Sequence, residues 1–283
     1  MQFARAAGAC LVVVAMCAMT GCSDSHPAGP AAIKPPSRPR IIAHRGAWGD
    51  DAPENTVAAF EHAWKQGVEG VELDVRLSKD GEVVVMHDDN TKRLTGVDKL
   101  VADQTLAELQ KLEVTAPGTT HRKTPARIPT LREAMATIPP GRAMFVEIKT
   151  GIETVPAVAA AIRAARPSNT TIMLQGFDPD TLAALATAVP DAPAYWTVDP
   201  PVDDVNQPLP YPQEVIDEAV RRHFAGVALL APSATDSVLA AARDAGLLVD
   251  VWTLNDVPGL AAWSGREVRW IETDRPDLSP MQP

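Results

Sequence analysis

Short apolar runs rich in β-branched residues alternate along this chain with longer stretches in which apolar side chains return every three or four positions. The first run, residues 41–43, reads as a strand that ends at His44-Arg45-Gly46. Pro53-Glu54-Asn55-Thr56 then opens a helix, with Asn55 or Thr56 as its cap, Val57, Phe60 and Trp64 as its inward stripe, and Gly67 as its stop. From Gly70 a second β-branched run follows, in which Glu72 and Asp74 stand two apart and so share one face of a strand. Lys79-Asp80-Gly81 is a turn signal and residues 82–87 are again extended and valine-rich, so the two runs form a β-hairpin. A turn centred near residues 79 and 80 pairs Asp74 with Val85 and Glu72 with His87, or one residue away if the turn is longer, delivering a histidine beside two carboxylates.

Residues 97–128 are weakly patterned apart from a helix over 105–112, and are expected to pack over the rim, with His121 and several basic residues on a solvated surface. Thr130 and Glu133 form a capping box at the next helix. A strand over 143–148 ends in Glu147-Ile148-Lys149, where Glu147 and Lys149 share a face. Helices over 155–165, 179–189, 213–222, 236–245 and 257–264 then alternate with strands over 171–175, 194–197, 226–230, 247–253 and 268–273.

Leaving the hairpin's return arm aside, the strands number eight, which predicts an α/β chain folded as a (β/α)8 TIM barrel with a β-hairpin and short insertion after the second strand. An open doubly wound sheet would want a glycine-rich turn after the first strand, and none has the dinucleotide spacing. In a barrel the reactive groups lie at the C-terminal ends of the strands, which selects His44, Arg45, Glu72, Asp74, His87, Glu147, Lys149, Gln175, Trp252 and the Thr273-Asp274 end. Trp196 and Trp252, taken singly, are packing residues, but an aromatic at a strand end also walls a pocket, and Gln175, Phe177 and Trp252 are candidates for that wall.

Composition changes the picture at the N-terminus. Arg5, the apolar segment 6–18 and Met19-Thr20-Gly21-Cys22 resemble a bacterial lipoprotein signal, making residues 1–21 the signal and Cys22 the lipidated mature end. A plain secretory signal cleaved near Ala18 is the first alternative, and a transmembrane anchor the second. Cys10 and Cys17 would leave with the signal, so the mature chain has a single cysteine and neither a disulfide nor a cysteine-based zinc site. Residues 22–39, rich in proline, serine and alanine, form a disordered tether, and residues 40–283 form one domain. The expected location is therefore the periplasmic or extracellular face of a bacterial membrane, held by the lipid on Cys22. Loss of Arg5 takes the formal charge from -10 to -11, which argues against nonspecific nucleic-acid binding. No protein partner is implied.

Two carboxylates on one buried strand face are costly without compensation, and a divalent cation with oxygen ligands is the usual compensation. Three acids, two histidines, an arginine and a lysine at one mouth suit hydrolysis of a phosphate ester. A glycosidase has no need of the histidines and cations, and a serine hydrolase would want a G-x-S-x-G turn that the chain lacks. HRG at 44–46, PENT at 53–56, GVEGVELDVRLSKDG at 67–81, VVVMHDD at 83–89, RLTG at 93–96, IPTL at 128–131, VEIK at 146–149, VWTLND at 251–256 and ETDRPD at 272–277 closely resemble the glycerophosphodiester phosphodiesterase family. Glu69 and Gly176 depart from that pattern, where aspartate and serine are common.

The resemblance implies a metal-dependent barrel that hydrolyses small-molecule glycerophosphodiesters to an alcohol and sn-glycerol 3-phosphate. It implies Glu72, Asp74 and Glu147 as ligands of one Ca2+ or Mg2+ ion, His44 and His87 as the acid–base pair, and Arg45 and Lys149 on the substrate phosphate. The alternative is a lipoprotein that binds phosphorylated ligands in a catalytically idle barrel.

Overall fold

The computed structural model describes residues 38–49, 52–115 and 126–279. The signal, all of the tether but its last two residues, Asp50-Asp51 and His121 lie outside them.

Eight parallel strands close on one another: β1 (Arg40–Ala43), β2 (Gly70–Leu77), β4 (Ala143–Ile148), β5 (Thr171–Gly176), β6 (Ala194–Val198), β7 (Gly226–Leu230), β8 (Leu248–Trp252) and β9 (Trp270–Thr273). Ile42 shows the closure, pairing with Gly70 of β2 on one side and Glu272 of β9 on the other. The remaining strand, β3 (Val83–Val85), is the hairpin's return arm, antiparallel to β2. Longer helices cover the barrel: α1 (Val57–Lys65), α5 (Val155–Ala165), α6 (Pro179–Ala188), α7 (Gln213–Arg221), α8 (Asp236–Asp244) and α9 (Val257–Trp263). Shorter ones are α2 (Lys92–Thr95), α3 (Leu106–Leu109) and α4 (Leu131–Met135). The (β/α)8 TIM barrel and the hairpin are as the pattern requires.

Three local details settle or depart from the sequence expectation. The hairpin register is shifted by one: Val75, not Asp74, faces Val85. Gly81 at φ +84° adds a residue to the turn, the Ser78 N–H donates to the Glu82 carbonyl at 2.9 Å, and the pairing moves accordingly. Glu72 is therefore not paired with His87. Thr56 alone caps α1, accepting from the Ala59 N–H. Asn55 sits instead at φ +57°, with its side chain turned to β2. The helix of the insertion, α3, is also shorter than residues 105–112, and this segment builds its own small core of Val84, Met86, Leu94, Val101, Leu109, Val114 and Ile128 against β3.

Inside the barrel, alternation along the strands stacks two layers of opposite character. The lower layer is aromatic: Phe145 meets Trp270 edge-on at 5.1 Å between centroids and Tyr195 at 5.8 Å, each contact contributing roughly 0.5–1.5 kcal/mol beyond its buried area. Tyr195 fills the axis because Gly226 opposite it has no side chain; a Cβ there would lie 2.8 Å from the tyrosine ring. Two residues further along the same inward faces stand Glu147 after Phe145, Gln175 after Met173, Asp250 after Leu248 and Glu272 after Trp270, all buried. Dry aromatics thus plug the barrel beneath a polar upper layer. Among the described residues no helix is long and apolar enough to cross a membrane.

Candidate active site

The period-two rule does bring Glu72 and Asp74 together, and the parallel register adds the third acid, since Asp74 lies beside Glu147 across β2 and β4. Each of the three offers a carboxylate oxygen within 4.8 Å of the others, and all three are buried. Asn55 donates to Asp74 Oδ2 at 2.7 Å and accepts from the Asp74 N–H at 3.3 Å, which accounts for its positive φ. Lys149 Nζ lies 3.2 Å from Asp74 Oδ1 and also contacts Glu147. The Arg45 N–H donates to Glu72 Oε2 at 2.9 Å, and Arg45 Nε lies 3.4 Å from Asp74. Oε1 of Glu72 is buried with no hydrogen-bond donor. Buried acids with an oxygen left open in this way fit a hard divalent cation, and the group could hold one.

The electrostatics agree with that donor set. Burial, followed by the charges of Asp74, Glu272 and Glu147, drives Glu72 well above the ordinary carboxylate range. Burial also raises Glu147. Asp74 feels the same burial, but Lys149 and Arg45 outweigh it and hold it below its usual value.

Each histidine is anchored through the same nitrogen. His44 Nδ1 lies 2.7 Å from Asp274 Oδ1, and His87 Nδ1 lies 2.7 Å from Asp88 Oδ1. An ionised carboxylate only accepts, so Nδ1 carries the hydrogen and Nε2 is left for chemistry. His44 Nε2 is 4.0 Å from Glu72 Oε2. His87 reaches the mouth because the chain leaves the ladder after Val85, and Arg76 holds its carbonyl with two bonds of 2.9 and 2.7 Å. Burial lowers His87 below an ordinary imidazole, and the nearby charges of Arg45 and Lys149 push the same way against Asp74. Burial lowers His44 too, but its bond to Asp274 reverses the balance and its pKa is raised.

Of the residues that support the histidines, Asp274 was among the strand-end candidates, whereas Glu54, Asp88 and Arg93 gave no chemical signal of their own in the sequence. Glu54 is shared by two guanidiniums, accepting from Arg45 Nη1 at 3.0 Å and from both Arg93 terminal nitrogens at 2.8 Å. Arg93 Nε also donates to Asp88 at 2.6 Å, and with His87 it draws the Asp88 carboxyl, against its burial, down to about 2. Asp274 is steadied by Asn255 at 2.6 Å and Trp48 at 3.3 Å.

The candidate wall residues divide. Phe177, partly exposed, meets Trp252 edge-on at 6.2 Å and carries Lys149 Nζ 5.1 Å over its ring, so these aromatics border the lysine side of the mouth. Trp196 braces them, donating from Nε1 to the Phe177 carbonyl at 2.9 Å. Gln175 is buried, and its amide donates to Asp250 Oδ2 at 3.1 Å and Glu272 Oε1 at 2.8 Å.

Gln175 thus joins Asp250 and Glu272, and burial, with the neighbouring charge of Glu72, pushes Asp250 up to about 7. Between the ordinary aspartate value and about 7 the folded chain holds a proton that the unfolded chain releases, so stability falls as pH rises through this window. Asp250→Asn keeps the hydrogen bonds without the ionisation. It is expected to raise the melting temperature by about 5 °C at pH 8 and by less than ~2 °C at pH 5, checked by thermal unfolding at both pH values.

A family model described as the glycerophosphoryl diester phosphodiesterase family matches residues 44–278. A glycerophosphodiester phosphodiesterase of Caldanaerobacter subterraneus is 42% identical over 121 residues, which are 42% of this chain and 48% of that protein. Human glycerophosphodiester phosphodiesterase 1 is 44% identical over 105 residues, covering 37% of this chain and 31% of that protein. The matches thus span less than half the length of these curated relatives. Among solved structures, a phosphodiesterase of Oleispira antarctica in complex with the product sn-glycerol-3-phosphate superposes with a TM-score of 0.71 at 25% identity, covering 84% of this chain and 94% of that one. The glycerophosphodiester phosphodiesterase of Thermotoga maritima gives 0.66 at 27% identity over 85% and 96%.

Proposed function

We infer that this chain, which belongs to the glycerophosphoryl diester phosphodiesterase family, hydrolyses glycerophosphodiesters to an alcohol and sn-glycerol 3-phosphate. The observation that carries the reading is the pair of imidazoles, each anchored by a carboxylate through Nδ1, standing with two cations beside three buried acids. Glu72, Asp74 and Glu147 would hold a Ca2+ or Mg2+ ion, which when bound supplies Lewis-acid polarisation of a phosphate oxygen.

The remaining work falls to the chain's own side chains. Arg45 and Lys149 orient the phosphate and offset its charge. One histidine takes the proton of the glycerol 2-hydroxyl at its Nε2 as that oxygen attacks phosphorus; the other gives a proton from its Nε2 to the departing alcohol oxygen. A cyclic phosphate results, and the same two nitrogens exchange roles as water opens it. Phe177 and Trp252 would flank the departing alcohol, while Gln175, level with Glu147, ties Asp250 to Glu272.

Incubation of the purified chain with glycerophosphocholine is expected to release glycerol 3-phosphate, to stop on chelation and to resume when Ca2+ or Mg2+ is restored. Binding without turnover under all three conditions would instead favour an idle phosphate-binding barrel. We also propose that the mature chain begins at a lipidated Cys22 and is held on the outer side of a bacterial membrane. The intact mass of the exported protein, with or without a diacylglyceryl adduct, tests this.

A further inference from the structure

The opposite end of the barrel carries a feature that this reaction does not use. Below the aromatic plug, at the N-terminal ends of the strands, an open cavity of about 360 Å³ has the edge of Trp270 as its floor. Arg38 and Arg40, from the segment entering β1, and Arg142, just before β4, stand around it. Arg40 and Arg269 both lie over the Trp270 ring, their guanidinium carbons 5.4 and 5.9 Å from its centroid. Backbone bonds fix these positions: the Arg40 N–H donates to the Arg269 carbonyl at 3.1 Å, and the Thr171 N–H to the Arg142 carbonyl at 3.0 Å.

One carboxylate, Glu69, lines the cavity, and both of its oxygens are engaged, by Arg38 Nη2 at 3.1 Å and by the Ile41 N–H at 3.0 Å. Among the described residues, Arg40, Arg142 and Arg269 have no ion-pair partner. Three guanidiniums line the cavity, with Arg269 against the same tryptophan, and a general excess of base does not explain them, because the whole chain has a formal charge of -10. They also oppose one another: burial and then the charge of Arg40 lower the pKa of Arg269. An anion held in the cavity beside Arg40 would offset that repulsion. Guanidinium forks match the oxygens of a phosphate group in pairs, and the open mouth leaves room for a substituent on it.

We propose that this N-terminal mouth is a second anion site, which takes the phosphate group of a phosphomonoester or phosphodiester at the end of the barrel opposite the catalytic mouth. Arg38 joins directly to the segment that leads back to Cys22, so the phosphate could come from a lipid headgroup or from a soluble compound.

The test uses the full chain and two variants, Arg40→Ala/Arg142→Ala and the single Arg142→Glu. The single change is needed because Arg40 packs on Trp270 and its loss could disturb the fold. Calorimetric titration with inorganic phosphate at low ionic strength reads the soluble source. Co-sedimentation with phosphatidylglycerol vesicles, against phosphatidylcholine vesicles, reads the lipid source. In at least one arm the wild type is expected to bind and both variants to bind about tenfold more weakly or worse, with glycerophosphocholine turnover unchanged. Added salt should weaken the same binding. Binding that is absent from the wild type in both arms, or equal in wild type and variants, overturns the proposal. Neither Arg40 nor Arg142 touches the acid triad, so the result stands whether or not the chain proves to be a hydrolase.

Discussion

Replacing Glu72 with glutamine is expected to cut glycerol 3-phosphate release about a thousandfold while leaving the ion-free protein at least as stable as before. The catalytic loss follows from the donor set, since glutamine offers a neutral oxygen where three buried acids converge. The stability follows from the electrostatics. Burial and the neighbouring acids already force Glu72 toward its neutral form, and glutamine supplies that form at nearly the same shape. Turnover and thermal unfolding must therefore move independently. Activity within tenfold of wild type would remove Glu72 from the metal site, and a large fall in melting temperature would make it a structural residue instead.

His44→Ala and His87→Ala should each cost between about a hundredfold and ten-thousandfold in turnover of glycerophosphocholine, the usual range for a positioned proton-transfer group. Their difference lies in the leaving group. A nitrophenyl glycerophosphodiester expels a phenolate that needs no proton, so the histidine that serves as acid should lose much less activity on that substrate. The histidine that serves as base should lose equally on both. If neither variant distinguished the two substrates, the division of labour drawn from the paired Nδ1 anchors would fail.

Much of the frame was legible because the signals involved are short in range. Glu72 with Asp74, and Glu147 with Lys149, needed only the two-residue repeat of a strand, and the barrel needed only a count of alternating elements. The hairpin register depends on one backbone angle at Gly81, and lysine-aspartate-glycine does not say whether the turn holds two residues or three. The buried partnership of Asp250 and Glu272 was hidden for the opposite reason. Its members come from separate strands, and each looks like an isolated acid in an apolar run until the barrel closes. Asn55 and Thr56 both read as possible helix caps, and Thr56 takes that role. The Asn55 side chain found the stronger claim of a carboxylate 19 positions away.

Glu54 has a consequence for how the mouth behaves as a machine. It ties the loop after β1, which carries His44 and Arg45, to the short helix α2, whose Arg93 steadies Asp88 and thereby His87. The two proton-handling side chains are thus wired in series through one clasp. Half-assembled forms, with one imidazole in place and the other adrift, are disfavoured, and the mouth comes together or falls apart as a unit.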